Sequence, residues 1–155
     1  MIRLPISALA LVGVIGFAIR RPVHSETALM GVWRVAEARD ASGRDITDRQ
    51  QRTLFIWTRR HLAIVWSDIV RPHFRPPLSD SQKVAMWQGF GAQEGTYEFA
   101  DDTITLHSEI AKSPEAMATG AFQKFRVELL DRVMWLTLVA DNTGPLPNQE
   151  RLRLI

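Results

Sequence analysis

The side chains best suited to chemistry fall in one stretch, Gln93–Ile110, where Tyr97, His107 and Glu109 sit in a run of period-2 alternation. His107 shares a strand face with Thr103, Thr105 and Glu109, while Ile104, Leu106 and Ile110 share the other. If the polar face turns inward, an ionisable histidine beside a carboxylate, with a phenol near, is an acid/base set. In a dry cavity such a set suits isomerase, cyclase or dehydratase chemistry. If it turns outward, His107 and Glu109 are ordinary solvated strand residues. Both orientations stay open on the sequence. A second set has the chemistry of recognition: Trp57, Trp66, Phe74, Trp87, Tyr97, His107 and Phe125 are candidates to line one apolar pocket. Rings supply contact area, and the polar tips of Tyr and Trp orient a ligand. The plainer alternative is that these rings fill a core.

Several other chemistries are excluded. The chain has no cysteine, which removes disulfide scaffolds, thiolate metal sites and cysteine nucleophiles. Its 4 histidines show no His-x-His or His-x₃-His spacing, so no metal site is expected. No nucleophile elbow frames a serine and no glycine-rich phosphate loop is present, so neither a hydrolase triad nor a bound cofactor is expected. The arginines are spread along the strands without an aromatic platform, and nucleic acid is not an expected partner.

These residues need a frame, and the pattern supplies one. Two runs flank Ala100-Asp101-Asp102, and Asp tolerates the backbone of a tight reversal, so Gln93–Ile110 reads as a hairpin. Strands are also expected at Leu29–Arg39, Thr53–Thr58, His61–Ser67, Phe122–Leu130, Arg132–Ala140 and Gln149–Ile155. Arg59-Arg60 lacks the Gly or Asn of a two-residue turn, which implies a bulge or a longer loop there. Ser79–Phe90 reads as a short helix capped by Ser79 or Asp80, with Val84, Met86 and Trp87 as a partial apolar face that packing must hold. Arg71-Pro-His-Phe-Arg-Pro-Pro is irregular, and its His73 is a candidate entry contact or a rigid connector. One helical turn follows Pro114 in the Lys112–Gly120 loop. The sum is a mainly β chain, an eight-stranded antiparallel up-and-down barrel with one short helix between strands three and four. Closure removes the open edges and requires Gln149–Ile155 to pair with Met30–Arg39.

The first residues are of a different kind. Met1-Ile2-Arg3 precedes an apolar run, Leu4–Ile19, ended by Arg20-Arg21-Pro22. The run is short for a membrane span and suits a secretory signal, with cleavage near Ser25. Residues 1–25 are therefore read as a signal peptide, or as an N-terminal anchor, and residues 26–155 as the barrel domain. The expected location is periplasmic or secreted, or tethered to the membrane by residues 4–19, with no other membrane contact. The net charge of +2 is carried by Arg3, Arg20 and Arg21, so the high pI makes no case for a polyanionic partner.

Gly31-Val-Trp33 at the head of the first strand resembles the Gly-x-Trp of lipocalins. Gly31-Val-Trp-Arg, Arg71-Pro-His-Phe, Gly95-Thr-Tyr-Glu with its following Thr-x-His strand, and the Pro114 to Gly120 loop together resemble the bacterial lipocalin-like domain family in order. The resemblance implies a barrel floor at Trp33, with Arg151 lying across it, and a monomer. It also implies a small hydrophobic ligand as partner, since that fold hosts carriers, scavengers and a few cyclase-like enzymes. A filled barrel that serves only as an interaction protein is the remaining alternative.

Overall fold

A computed structural model describes residues 26–50, 52–68, 75–146 and 149–155. The expected signal peptide at residues 1–25, and the loop residues His73 and Phe74, lie outside the described residues. Period-2 alternation with β-branched and aromatic residues produces the strands β1 (Gly31–Arg39), β2 (Leu54–Trp57), β3 (His61–Ser67), β4 (Phe90–Ala100) and β5 (Thr103–Ala111). After them come β6 (Gln123–Leu130), β7 (Val133–Asp141), a two-residue β8 (Gly144–Pro145) and β9 (Arg151–Leu154). One helical turn, α1 (Thr47–Gln50), stands between β1 and β2, and α2 (Asp80–Gln88) stands between β3 and β4.

The strands run antiparallel in the order β6-β5-β4-β3-β2-β1-β9-β7, and β6 pairs again with β7. Eight strands thus form a closed barrel, with β8 a flap hydrogen-bonded to β7. The closing strand is β9, which pairs Leu154 with Val35 of β1 and with Met134 of β7.

One end of the barrel is made of tight turns. Asp101 and Asp131 take left-handed φ values of 56° and 55°, a conformation Asp accepts at little cost, and this lets two residues reverse β4 into β5 and β6 into β7. The β2–β3 turn uses three residues rather than two: the Thr58 backbone N–H donates to His61 O at 2.9 Å, and its hydroxyl accepts the His61 N–H at 3.0 Å. A 3-10 turn at Glu26–Ala28 brings Leu29 beneath the barrel, where it is fully buried. The Trp33 indole N–H donates to Leu29 O at 2.8 Å, so Trp33 and Leu29 together make the floor.

Longer loops ring the other end. Their Asp residues hold them in shape: Asp40 accepts from the Ser42 hydroxyl at 2.6 Å and the Arg44 N–H at 3.0 Å, and Asp141 accepts from the Thr143 N–H at 2.8 Å. These bonds, the side-chain hydroxyl bond foremost, hold both carboxyls below the usual carboxylate range.

Two details depart from the expectation. Ile110 is not on the core face; it is 69% exposed. The β4–β5 register shifts between Glu94 and Gly95, leaving Glu109 as the extra residue and turning Ile110 outward. The bulge works because Gly95 has no side chain: a Cβ there would lie 1.9 Å from His107 O. The helix α2 forms through the expected Ser79 cap, with Ser79 N–H donating to Gln82 Oε1 at 2.9 Å. It is not held by an apolar face, for none of its residues is buried. Instead Lys112 ties down its C-terminal end, donating through Nζ to the carbonyls of Trp87 and Phe90 and lying over the Trp87 ring.

Gly95→Ala is expected to destabilise the fold by about 2 kcal/mol or more, because neither partner of the clash is a movable side chain. Urea denaturation measures it; a loss under half that size would mean the bulge is dispensable.

Candidate functional site

Every strand carries one face inward, and on β3, β5, β7 and β9 burial along that face changes with height. At the turn-rich end Leu62, Ile104, Met134 and Leu154 are fully buried. Toward the loop-rich end the inward residues of the same strands, Trp66, Ser108, Leu138 and Leu152, are only partly buried. On these four strands the wall is packed below and partly open above. Elsewhere Ala38, Gly91 and Gln93 stay buried at the loop end, while Phe99 and Leu129 are only partly buried at the turn end. Among the described strand residues the polar side chains of the inner wall are Tyr97, Ser108, Gln93 and Gln123, and the one carboxylate on that face is Asp141, at the loop-end rim opposite Gln123.

The residues singled out from the sequence divide accordingly. Trp57 is 2% exposed and lies deep on the inner wall, its ring stacked on Phe55 at 5.3 Å. Its indole nitrogen is a sealed side-chain donor with no hydrogen-bond partner among the described residues. Tyr97 and Phe125 also face inward and are buried. The Tyr97 hydroxyl donates to Thr58 O at 2.9 Å, and burial, with the charge of Glu26 second, pushes the phenol above its ordinary value. Its hydroxyl is thus committed to the β2–β3 turn. Trp66 lies inward at the upper wall, its ring against Gly91, where a Cβ would meet Trp66 Cε2 at 2.0 Å. Phe74 lies outside the described residues.

Three expectations are corrected. His107 is exposed on the outer wall, because the inward face of β5 is the one carrying Ile104 and Leu106; Glu109 is the exposed bulge residue beside it. His107, Glu109 and Tyr97 therefore do not converge, since Tyr97 points to the opposite side of the sheet. Trp87 is 61% exposed on α2 and lines no inner wall. Arg151 does not lie across Trp33: it pairs with Arg39 and Thr137 on the outer wall, 4.4 Å from the Trp135 ring.

The outer arginines are less scattered than the sequence implies. Arg39, Arg126 and Arg151 border a groove of about 560 Å³. Each already faces a carboxylate: Glu37 at 2.6 Å, Asp102 at 3.9 Å and Glu128 at 3.0 Å respectively. They read as charge pairs laid over the wall, each of small energetic weight.

Sequence reasoning passed over Gln93 and Gln123. Gln93 donates through Nε2 to Gln123 Oε1 at 2.6 Å across the inner side of β5. The signal was available: counting back by twos from the buried Tyr97 gives Gly95, Gln93 and Gly91, and all of these are buried.

No protein-family model and no curated protein matches the chain. Two solved structures resemble it. One is a lipocalin-like protein from Bacteroides uniformis, 13% identical, covering 82% of this chain and 96% of its own, with a TM-score of 0.46. The other is an uncharacterized protein from Bacteroides eggerthii, 14% identical over 81% of this chain and 96% of its own, with a TM-score of 0.45. The fold is a lipocalin-like barrel, and that assignment stands on the strand order and closure described above.

The two deep tryptophans make a matched pair for measurement. Removing the Trp33 donor strands Leu29 O, whereas removing the Trp57 donor strands nothing. Trp33→Phe should therefore cost about 1–2 kcal/mol more than Trp57→Phe in chemical denaturation. Equal costs would show that the Trp57 nitrogen has a partner after all.

Proposed function

We propose that this chain is an exported carrier that takes a small, largely apolar molecule into the upper half of its barrel. The observation that carries the reading is the burial gradient on four strands: inward-facing Trp66, Ser108, Leu138 and Leu152 are partly exposed while the residues below them on the same strands are buried. A wall of rings and aliphatic groups binds by removing apolar surface from water. Each buried CH₂ contributes about 0.8 kcal/mol, so a ligand of roughly a dozen carbons reaches micromolar affinity after association costs. Below the Asp141 rim the inner wall carries no charge, which favours a neutral ligand, since an ionised group taken from water needs a partner.

An enzyme reading finds less support, because an acid and a base would have to share the lumen, and His107 and Glu109 stand outside it. Export is supported by the sequence of residues 1–25 alone: a positive start, an apolar run and a small residue at Ser25.

The test uses 1-N-phenylnaphthylamine, whose fluorescence rises in apolar surroundings, and two single variants on adjacent residues of β5. Ser108→Phe plugs the upper lumen and is expected to weaken probe binding about ten-fold or more, while His107→Phe on the outer wall leaves it unchanged. Absence of probe binding to the native protein, or equal effects of the two variants, contradicts the reading.

A further inference from the structure

Two glutamines meet on the inner wall at the height where the packed core gives way to solvent. Gln93 of β4 is 9% exposed, and its single side-chain bond, Nε2 to Gln123 Oε1, is 2.6 Å long. That bond leaves Gln93 Oε1 without a partner among the described residues and leaves both amide hydrogens of Gln123 unused. Exchanging O and N in both amides reverses the bond but changes nothing else: one carbonyl and one NH₂ remain free, side by side. Neighbouring inner-wall residues do not complete the pair. Of their cross-strand partners Ile64, Ala111 and Leu106 are apolar, Asp141 opposite Gln123 is engaged by the N–H and hydroxyl of Thr143, and Gly91 and Gly95 carry no side chain. The free amide atoms are also not among the sealed polar atoms, a class that holds only Trp57 Nε1 among the described residues. They therefore face space rather than packed wall.

Beside them lies a flat surface. Trp66 pairs with Gly91, two residues along β4 from Gln93, and its indole occupies the volume that any side chain at 91 would need. A ring platform and an adjacent acceptor and donor, on a wall that carries no charge below the Asp141 rim, define a ligand by its complement. We propose that Trp66, Gln93 and Gln123 recognise a neutral, planar molecule bearing an N–H beside a C=O, of the lactam or imide class. Its ring lies on Trp66, its N–H donates to the free glutamine carbonyl, and its C=O accepts from the free NH₂. An apolar ligand would leave both amide groups desolvated and unpaired, which is the basis of discrimination. The proposal rests on the barrel interior being the binding site.

The experiment titrates the full chain with quinolin-2(1H)-one, 1-methylquinolin-2-one and naphthalene, following tryptophan fluorescence and heat. Native protein should bind the lactam about ten-fold or more tightly than its N-methyl analogue, which keeps the ring but lacks the donor. The double variant Gln93→Met/Gln123→Met should bring that ratio to about one while naphthalene binding changes by no more than about two-fold. Should the variant fail to fold, the side-chain amide NMR signals of Gln93 and Gln123 in the native protein decide. They should shift with the lactam and stay in place with naphthalene. A ratio near one in the native protein, a ratio the variant preserves, or glutamine signals indifferent to the lactam overturns the proposal. If naphthalene binds and the ratio is one, this inference alone falls; if no probe binds, the barrel-binding reading falls with it.

Discussion

The structure depends on the four-residue strand β9 lying between β1 and β7. Without it β1 and β7 would each present a row of unpaired backbone groups, and the sheet would be an open, twisted layer with one face bare. With it, Leu154 meets Val35 on one side and Met134 on the other, and the backbone of Ile155 exchanges two 3.0 Å hydrogen bonds with Arg34. So few residues suffice because both edges are supplied at once. Closure turns every strand's alternation into an inside and an outside, and all the chemistry above follows from which side a residue takes.

Closure alone gives a tube; the asymmetry of its ends makes a cup. Two-residue turns at Asp101 and Asp131, and the Leu29 carbonyl caught by Trp33, seal one end tightly. The strands connect at the other end through longer segments, of which the described ones are fixed by Asp40 and Asp141 carboxylates that bind their own backbone. The packing follows the ends. Leucine, isoleucine and methionine pack below; above, the Trp66 indole takes the space beside Gly91, His107 O takes that beside Gly95, and Ser108, Gln93 and Gln123 complete the wall. Trp57 sits at the lower level with a buried donor that has no partner among the described residues, an arrangement that costs about 1–3 kcal/mol.

Much of this frame was legible in the residue pattern. The hairpin turned by Asp101-Asp102, the N-cap of α2, the single helical turn after Pro114 and the need for the C-terminal strand to meet the first are local or topological consequences of alternation and turn chemistry. The site was less legible, for identifiable reasons. Alternation says that His107 and Leu106 take opposite faces but not which face is inside, and the burial of Leu106 decides it. Ile110 continues the apolar rhythm of β5, yet the bulge opposite Gly95 breaks the count by one residue, an event visible only once His107 O is seen to occupy the place of a Cβ. Trp87 looks like core because it is large; the helix that bears it is tethered by a lysine instead of packed, and the ring is left in solvent. Gln93 and Gln123 look like surface because they are polar, and their shared bond inside the barrel accounts for the burial of Gln93 and the half-burial of Gln123.

The central claim, a barrel dry at one end and hollow at the other, is open to a direct measurement because the chain has no cysteine of its own. Single cysteines placed at Ser108 and at Val127 report the two levels of the inner wall through their rate of reaction with a small thiol reagent in the folded protein. The account predicts that the thiol at 108 reacts readily while the thiol at 127 is protected until the protein unfolds. Equal protection at both positions would mean a filled barrel, and equal reactivity an open sheet; either result contradicts it.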